Sequence, residues 1–431
     1  MSCDSVPDSR RAAPKDYRGR MHTLLIHQGF TALNEAGGTR HFELARGLVE
    51  EGQKFTVIAS DVSYITGKES KGKSGASKDQ HVEGIRVMRS YTHPTLHGKF
   101  LGRLFSFVSF AVSSFFLATF RAGKVDVVMG TSPPIFQSLS ACLIALIRRK
   151  PFILEIRDLW PEFIIDMGLL SNPLIISVSR GLERFLYRRA THLLVNSPAY
   201  IDYLVSKGVP ASRITFIPNG VDPSMFRPAS DGAALRRSLN LDGKFVAVYA
   251  GAIGPANDLD TLLAAAAELK SDQRLHFLLV GDGKERRRLQ AKAEALKLEN
   301  VTFAGAHPKH EIPEYLACAD VCIAILQNIK MFRMTYPNKV FDYMAAGRPV
   351  LLAIDGVIRK VVDEAGAGVY VAPGDSKALA LALRRMAEHG DEGAEMGRRG
   401  RAYVERNFNR GDHSRQFANF LRAVANPAPS K

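Results

Sequence analysis

From His22 onward the chain alternates short apolar runs with amphipathic segments, and that alternation leaves few folds open. The first series of runs is His22–His27, Phe55–Ser60, Ile85–Arg89, Val125–Met129, Phe152–Ile156, His192–Asn196 and Thr215–Ile217. The second is Phe245–Ala250, Leu275–Val280, Val301–Phe303, Val321–Ile325, Val350–Ile354 and Val369–Val371. Strand-like runs separated by helical patterns read as βαβ units, which build parallel sheets with right-handed crossovers. Between the two series lies IPNGVDPSMFRP, residues 217–228, whose three prolines and Asn-Gly turn mark a linker. The expected fold is α/β: two Rossmann-like, doubly wound parallel-sheet domains facing a central cleft. The expected divisions are an N-terminal extension at 1–20, a first domain at 21–218, a linker at 219–228 and a second domain at 229–408. A C-terminal helix and tail, 409–431, are expected to pack back on the first domain. In open sheets of this kind ligands bind at the carboxyl ends of strands, so polar residues just after each run become site candidates.

The formal net charge is +15 over 431 residues, and the excess is shared between the two halves rather than gathered in one stripe. That excludes a nucleic-acid footprint and suits phosphorylated substrates or an anionic lipid surface. Cys3, Cys142, Cys318 and Cys322 form no zinc pattern and read as free thiols of a reducing, cytoplasmic protein. Residues 1–20 are polar, with no apolar h-region, and read as a disordered extension rather than a signal peptide; Met21 is an alternative start. Lys68–Lys78, rich in Gly, Lys and Ser, reads as a mobile loop.

Four glycine- or charge-bearing turns follow strands. Gly37 and Gly38 precede a helix that starts near Arg40, where free N–H groups suit a phosphate; a plain βα turn is the alternative. Gly251 and Gly254 repeat the pattern, with Asn257 as a helix N-cap and Asp260 as its box partner. Gly281 and Gly283 permit another turn, from which Lys284 reaches toward a diphosphate, but no G-x-G-x-x-G is complete and a dinucleotide cofactor is not supported. FILEIRDLWPEF places Glu155, Arg157 and Asp158 at a strand end beside Trp160, where a carboxylate either orients an acceptor hydroxyl or forms a structural pair. Ser132, within GTSPP, and the turn Asn196–Pro198 are candidates to line the same cleft.

The segment MFRMTYPNKVFDYMAAGRPVLLAI, residues 331–354, carries Asn338, Lys339 and Asp342 on a helix that stops at Gly347. Lys339 and Asp342 are three residues apart and share a face. A carboxylate accepts both hydroxyls of a ribose and a lysine neutralises a diphosphate; a surface ion pair is the plainer reading.

Taken together, GGTRHFELARGLVEEGQKFTVI, IPNGVDPSMFRP, YAGAIGPANDLDTLLAAAAEL, LLVGDGKERRRL, FAGAHPKHEIPEYLACADVCI and PNKVFDYMAAGRPVL resemble the retaining glycosyltransferases of family 4, with the GT-B fold. The resemblance runs from Met21 to about Pro373 in the family's order. Within that family the chain is most similar to transferases of O-antigen and capsule clusters grouped as N-acetyl-fucosaminyltransferases. The resemblance implies a UDP-sugar donor held by the second domain and an acceptor held by the first. It places Asp342 at the ribose, Gly251 and Gly254 at the phosphate loop, His307 beside the base, and Gly37 and Gly38 over the donor phosphates. Asp158 falls near the reacting centre, with Arg157, Trp160 and Ser132 on the acceptor side.

The chain departs from the family pattern at Met334, where an acid is usual, and at Ala252 and Asn257, where Arg and Lys are usual. Diphosphate neutralisation is therefore expected from Lys339, with Arg333, Lys330 or Lys284 assisting. No metal or other cofactor is expected. The implied acceptor is a polyprenyl-diphosphate-linked glycan of bacterial surface polysaccharide, with peripheral association at the inner face of the cytoplasmic membrane. LFSFVSFAVSSFFLATF, residues 104–120, is uncharged and bracketed by Arg103 and Arg121, and reads either as a buried crossover helix or as an interfacial one. PLIISVSRGLERFLYRRA, residues 173–190, adds a basic amphipathic helix. The alternatives are a GT-B nucleotide-sugar epimerase and a non-catalytic membrane-associated scaffold.

Overall fold

The computed structural model describes residues 20–63, 79–95, 100–226 and 232–427. Cys3, the expected extension short of Arg20, the Lys68–Lys78 segment and the last linker residues lie outside these.

The first sheet holds eight strands: β1 (His22–Ile26), β2 (Lys54–Ser60), β3 (Asp79–Val82), β4 (Ile85–Ser90), β5 (Val127–Ser132), β6 (Phe152–Ile156), β7 (His192–Val195) and β8 (Ile214–Phe216). Their spatial order is β3-β4-β2-β1-β5-β6-β7-β8. The second holds β9 (Phe245–Ala250), β10 (Leu275–Val280), β11 (Val301–Gly305), β12 (Val321–Ile325), β13 (Val350–Ala353) and β14 (Gly368–Tyr370), in the order β11-β10-β9-β12-β13-β14. Central strands such as β6, FILEI, and β12, VCIAI, are buried along their whole length, as parallel strands covered on both faces must be.

Two expectations need correction. β3, sequence DQHV, was not expected, because a polar edge strand has no apolar run to announce it; it pairs antiparallel with β4 across a Glu83-Gly84 turn in which both residues have positive φ. β5 starts at Val127 rather than Val125 and extends past Met129 through Gly130, Thr131 and Ser132, because Thr131 and Ser132 pair in register with Glu155 and Ile156 of β6.

Three helices matter most for the site and its surroundings: α1 (Arg40–Glu50), α2 (Phe100–Arg121) and α3 (Ile135–Arg148). On α2, Ser106, Phe110, Ser114 and Ala118 are fully buried, a four-residue spacing that forms one inward stripe. Ser140 of α3 donates to the Ala111 carbonyl of α2 (2.7 Å), tying the two crossovers together. The stretch Gly102–Arg121 is long and apolar enough to cross a membrane by length and composition, yet its inner stripe lies against the first domain's core.

The helix Arg410–Ala425 packs on α1: Phe417 and Leu421 share a core cluster with Phe42, Leu48 and Leu25. Arg410 donates to Glu43 of α1 (2.7 Å) and to the Gly220 carbonyl of the linker, with both charged side chains almost wholly buried. Burial alone would raise the Glu43 carboxyl, but Arg410, Lys309 and the Thr39 hydroxyl outweigh it and hold it below its ordinary value. Gly220 allows this closeness, since a Cβ there would fall 2.4 Å from the Phe408 carbonyl oxygen.

Arg410→Met should destabilise the protein by about 3 kcal/mol or more at neutral pH, because it strands a buried carboxylate. The double change with Glu43→Gln should lose less. Because the folded value of Glu43 is depressed, its contribution is present at neutral pH and fades only under strong acid. Urea denaturation of the three proteins tests this; an equal loss in the single and double variants would show that the pair does not carry the effect.

Candidate active site

A cavity of about 370 Å³ opens where the loops after β9, β10, β11 and β12 meet the loop between β1 and α1. Ala36, Gly37, Gly38 and Thr39 form its first-domain wall, immediately before α1. The second-domain wall is built from closely stacked backbone. A Cβ on Gly281 would lie 1.8 Å from the Gly251 carbonyl oxygen, so only glycine lets the β9 and β10 loops pack this tightly.

The helix Asn338–Ala345 points its N-terminus into this cavity, and Asn338, Lys339 and Asp342 line it. Tyr343 ties that helix to β9, its hydroxyl donating to the Ala250 carbonyl (3.0 Å) and accepting from the Ala250 N–H (2.9 Å). Lys339 donates to the Tyr249 hydroxyl and to Asn257 Oδ1, both at 2.9 Å, and its ammonium lies 4.2 Å from the centre of the Tyr249 ring. Burial lowers its pKa to about 7. Among the described residues no carboxylate pairs with it, so the cavity contains a cation without a counter-ion.

Asp342 is bound differently. Lys309, from the loop after β11, donates to its carboxylate at 2.5 Å, and both side chains are buried. Burial pushes the Asp342 carboxyl up, with Lys309 pulling against it. The expected pairing of Lys339 with Asp342 on one helix face is therefore replaced: each side chain finds a partner from another loop, with Asp342 buried and Lys339 half-buried. His307 also lines the cavity, its ring 2.8 Å from Glu311 and 2.7 Å from the Tyr315 hydroxyl.

Seven expected donor-side residues thus converge: Gly37, Gly38, Gly251, His307, Asn338, Lys339 and Asp342. Gly254, Lys284 and Arg333 do not line the cavity. Gly254 precedes the Pro255–Asn257 turn and faces open space, Lys284 is exposed, and Arg333 turns toward Asp355 (3.8 Å), while Lys330 is exposed as well. Asn257 is not the helix N-cap; Asp258 takes that position, and Asp260 pairs with Arg288 and Lys292 (both 2.5 Å). Lys309, Thr39, Tyr249 and Tyr343 were not anticipated. Lys309 was visible only as the one lysine in FAGAHPKHEI, with nothing in the spacing to connect it to Asp342.

The acceptor-side candidates gather at the carboxyl ends of β5 and β6, outside that cavity's lining. Arg157 donates to Thr131 Oγ1 (2.9 Å) and to the Pro133 carbonyl (3.1 Å), Ser132 is buried, and Trp160 packs edge-on to Phe136 at 5.7 Å. Burial raises the Asp158 carboxyl, with Arg157 opposing it. Glu155 is a structural carboxylate, paired with His41 and with Arg40 Nε (3.2 Å). Burial would raise its pKa, but His41, Arg40 and Arg157 hold it well below the carboxylate range.

Lys309→Met should leave Asp342 buried without a partner and cost about 2 kcal/mol or more at pH 7. Because the folded pKa of Asp342 is already raised, stability falls as pH rises through the acid range, and the variant's defect should be smaller near pH 5. Denaturant midpoints at the two pH values check this, and a defect independent of pH would sink it.

Residues 36–220 match the model of the glycosyl transferase 4-like domain, and residues 244–389 match that of the glycosyl transferases group 1. WcaI of Escherichia coli K12, a glycosyl transferase named for colanic acid biosynthesis, is 25% identical over 393 residues, spanning 88% of this chain and 94% of its own. WbjE of Pseudomonas aeruginosa, also named as a glycosyltransferase, is 25% identical over 274 residues, or 63% of this chain and 68% of its own. Among solved structures, sucrose-phosphate synthase of Thermosynechococcus elongatus superposes with a TM-score of 0.73 at 20% identity, covering 94% of this chain and 99% of that one. HepE of Anabaena, solved with UDP and glucose, gives 0.71 at 20% identity, covering 94% and 100%. Two parallel-sheet domains, a cleft built from their strand ends, and both family models matched in order establish that this chain belongs to the family 4 glycosyltransferases of the GT-B fold.

Proposed function

We propose that the cleft binds a UDP-sugar and transfers the sugar, with retention, to a polyprenyl-diphosphate-linked glycan during bacterial surface polysaccharide synthesis. The single observation that carries this reading is Lys339, a cleft ammonium with hydrogen-bond acceptors but, among the described residues, no counter-ion. A diphosphate would supply that counter-ion. The names of WcaI and of HepE's bound ligand support the reaction class and the nucleotide. The sugar proposed is an N-acetylated amino- or deoxyamino-hexose.

In this reading the departing diphosphate gains negative charge as the glycosidic bond breaks. Lys339 and the N-terminus of its helix stabilise that charge, so no metal is invoked. Asp342 takes the ribose hydroxyls, sharing its carboxylate with Lys309 or releasing it. His307 flanks the base, and the Gly37-Gly38 turn covers the phosphates. Asp158 orients the acceptor hydroxyl, which attacks the sugar on the face the diphosphate leaves. The reaction is placed at the cytoplasmic face of the membrane.

A panel of UDP-sugars, assayed with and without lipid-linked acceptor for UDP release and sugar identity, should give UDP only when acceptor is present. Altered sugar without acceptor would mean epimerisation, and no turnover with any sugar would favour a binding scaffold, a role that Met334 in place of an acid makes worth testing. Lys339→Met and Asp342→Ala should each weaken UDP binding at least about tenfold. A bound diphosphate favours the ammonium, so UDP affinity of the unaltered protein should fall as pH rises from about 6 to about 9, and Lys339→Met should abolish that dependence. A flat pH profile in calorimetric titrations would remove Lys339 from the phosphate site.

A further inference from the structure

We propose that the outer face formed by α2, α3 and the helix Pro173–Arg189 is a docking surface for an anionic phospholipid bilayer. All three helices are crossovers on one face of the first sheet, with α2 packed on α3 and α3 on the third helix. Together they expose large apolar side chains along their outer surfaces. Phe105, Phe116 (55% exposed) and Phe120 (76%) project from α2, Ile147 from α3, and Leu174 and Val178 from the third helix. Monomeric soluble proteins rarely leave so many neighbouring apolar groups in water, and such patches mark interaction sites.

Charge identifies the partner. Arg184, Arg188 and Arg189 are exposed on the third helix, and Arg184 and Arg188 border an open groove there. Among the described residues no carboxylate pairs with any of the three, whereas Arg180, one turn earlier, is held by Glu162 at 2.8 Å. Arginines without carboxylate partners, on the same face of the sheet as exposed phenylalanines, match a surface that offers phosphate groups above an apolar layer. A second copy of this chain fits less well, because a two-fold contact through this face would gather two sets of these arginines into one interface, whereas a bilayer offers them phosphate groups.

The geometry also sets how the helix meets the bilayer. The inner stripe of α2 is buried against the first sheet, so the helix lies along the protein surface and cannot cross a membrane without being stripped from its core. Only the outer phenylalanines reach the boundary between headgroups and acyl chains. Phe107 and Phe115 turn toward the protein: Phe107 stacks on Phe136 and Phe115 packs on the core. Because a crossover helix begins near the carboxyl end of the strand before it, these helices start on the cleft side, and a bilayer against them would hold a lipid-linked acceptor beside the cleft. That last step rests on the proposed acceptor; the surface itself does not.

The test is flotation of the full chain with vesicles of phosphatidylcholine alone or mixed with phosphatidylglycerol, without donor or acceptor present. The chain should float with the mixed vesicles and lose that binding at high salt. Phe116→Ser with Phe120→Ser, and separately Arg184→Gln with Arg188→Gln, should each reduce binding about tenfold or more while thermal melting by circular dichroism stays unchanged. No flotation, or equal flotation of the unaltered chain and both variants, would overturn the proposal. So would a dimer in sedimentation equilibrium that the phenylalanine pair disperses, which would assign the face to a second copy. Because the readout needs neither UDP nor glycan, a failed transferase assay leaves this result standing, and the reverse holds.

Discussion

The cleft depends on how α1 is held. Its first turn carries Arg40, His41 and Glu43, all buried. Arg40 meets Glu155 of β6 and the carbonyls of Ile217 (2.8 Å) and Pro218 (2.6 Å) in the linker. Glu43 meets Arg410 of the last helix and the Thr39 hydroxyl (2.5 Å). Charges leave water only where partners satisfy them, so none of these elements can shift without exposing another to an unpaired charge. The Gly37–Thr39 turn is the free end of this arrangement, and it forms the first-domain wall of the cavity.

Across the cleft the second domain presents two lysines in different states. Lys309 is already neutralised by Asp342, and its ammonium also lies 5.5 Å from the centre of the Phe226 ring. Lys339 is held by a phenol and an amide oxygen, which orient it without cancelling its charge. Through Asn257 the Lys339 side chain is tied from its own helix to the loop after β9.

The segment around Met334 has a mechanical role. The Met334 carbonyl accepts the Ser197 hydroxyl (2.5 Å), and Met331 and Phe332 lie in the first domain's core cluster. Phe332 meets Phe163 with ring centres 5.5 Å apart. Asn219 of the linker donates to the Tyr336 carbonyl (2.6 Å) just beyond. The segment therefore joins the domains through apolar burial and two hydrogen bonds. α2 makes a similar compromise, spending one face on the core and leaving the other to the outside.

Strand order along the chain, both sheets and their separation by the Pro-rich linker were legible because a strand buried on both faces has to be a continuous apolar run. β3 escaped for the converse reason: an edge strand needs no such run. The glycines of the cavity, together with His307, Asn338, Lys339 and Asp342, were also legible, since they follow strands or open a helix and local geometry carries them to the strand ends. Which charge meets which was not legible. Lys309 reaches Asp342 across 33 residues and Arg410 reaches Glu43 across 367, and spacing along a chain cannot encode either approach. The residues alone therefore determined the layered architecture and the set of groups available at the cleft. Tertiary packing decided which lysine is neutralised, that Glu155 serves structure and that one face of α2 stays exposed, because each outcome depends on what desolvates a side chain rather than on the side chain itself.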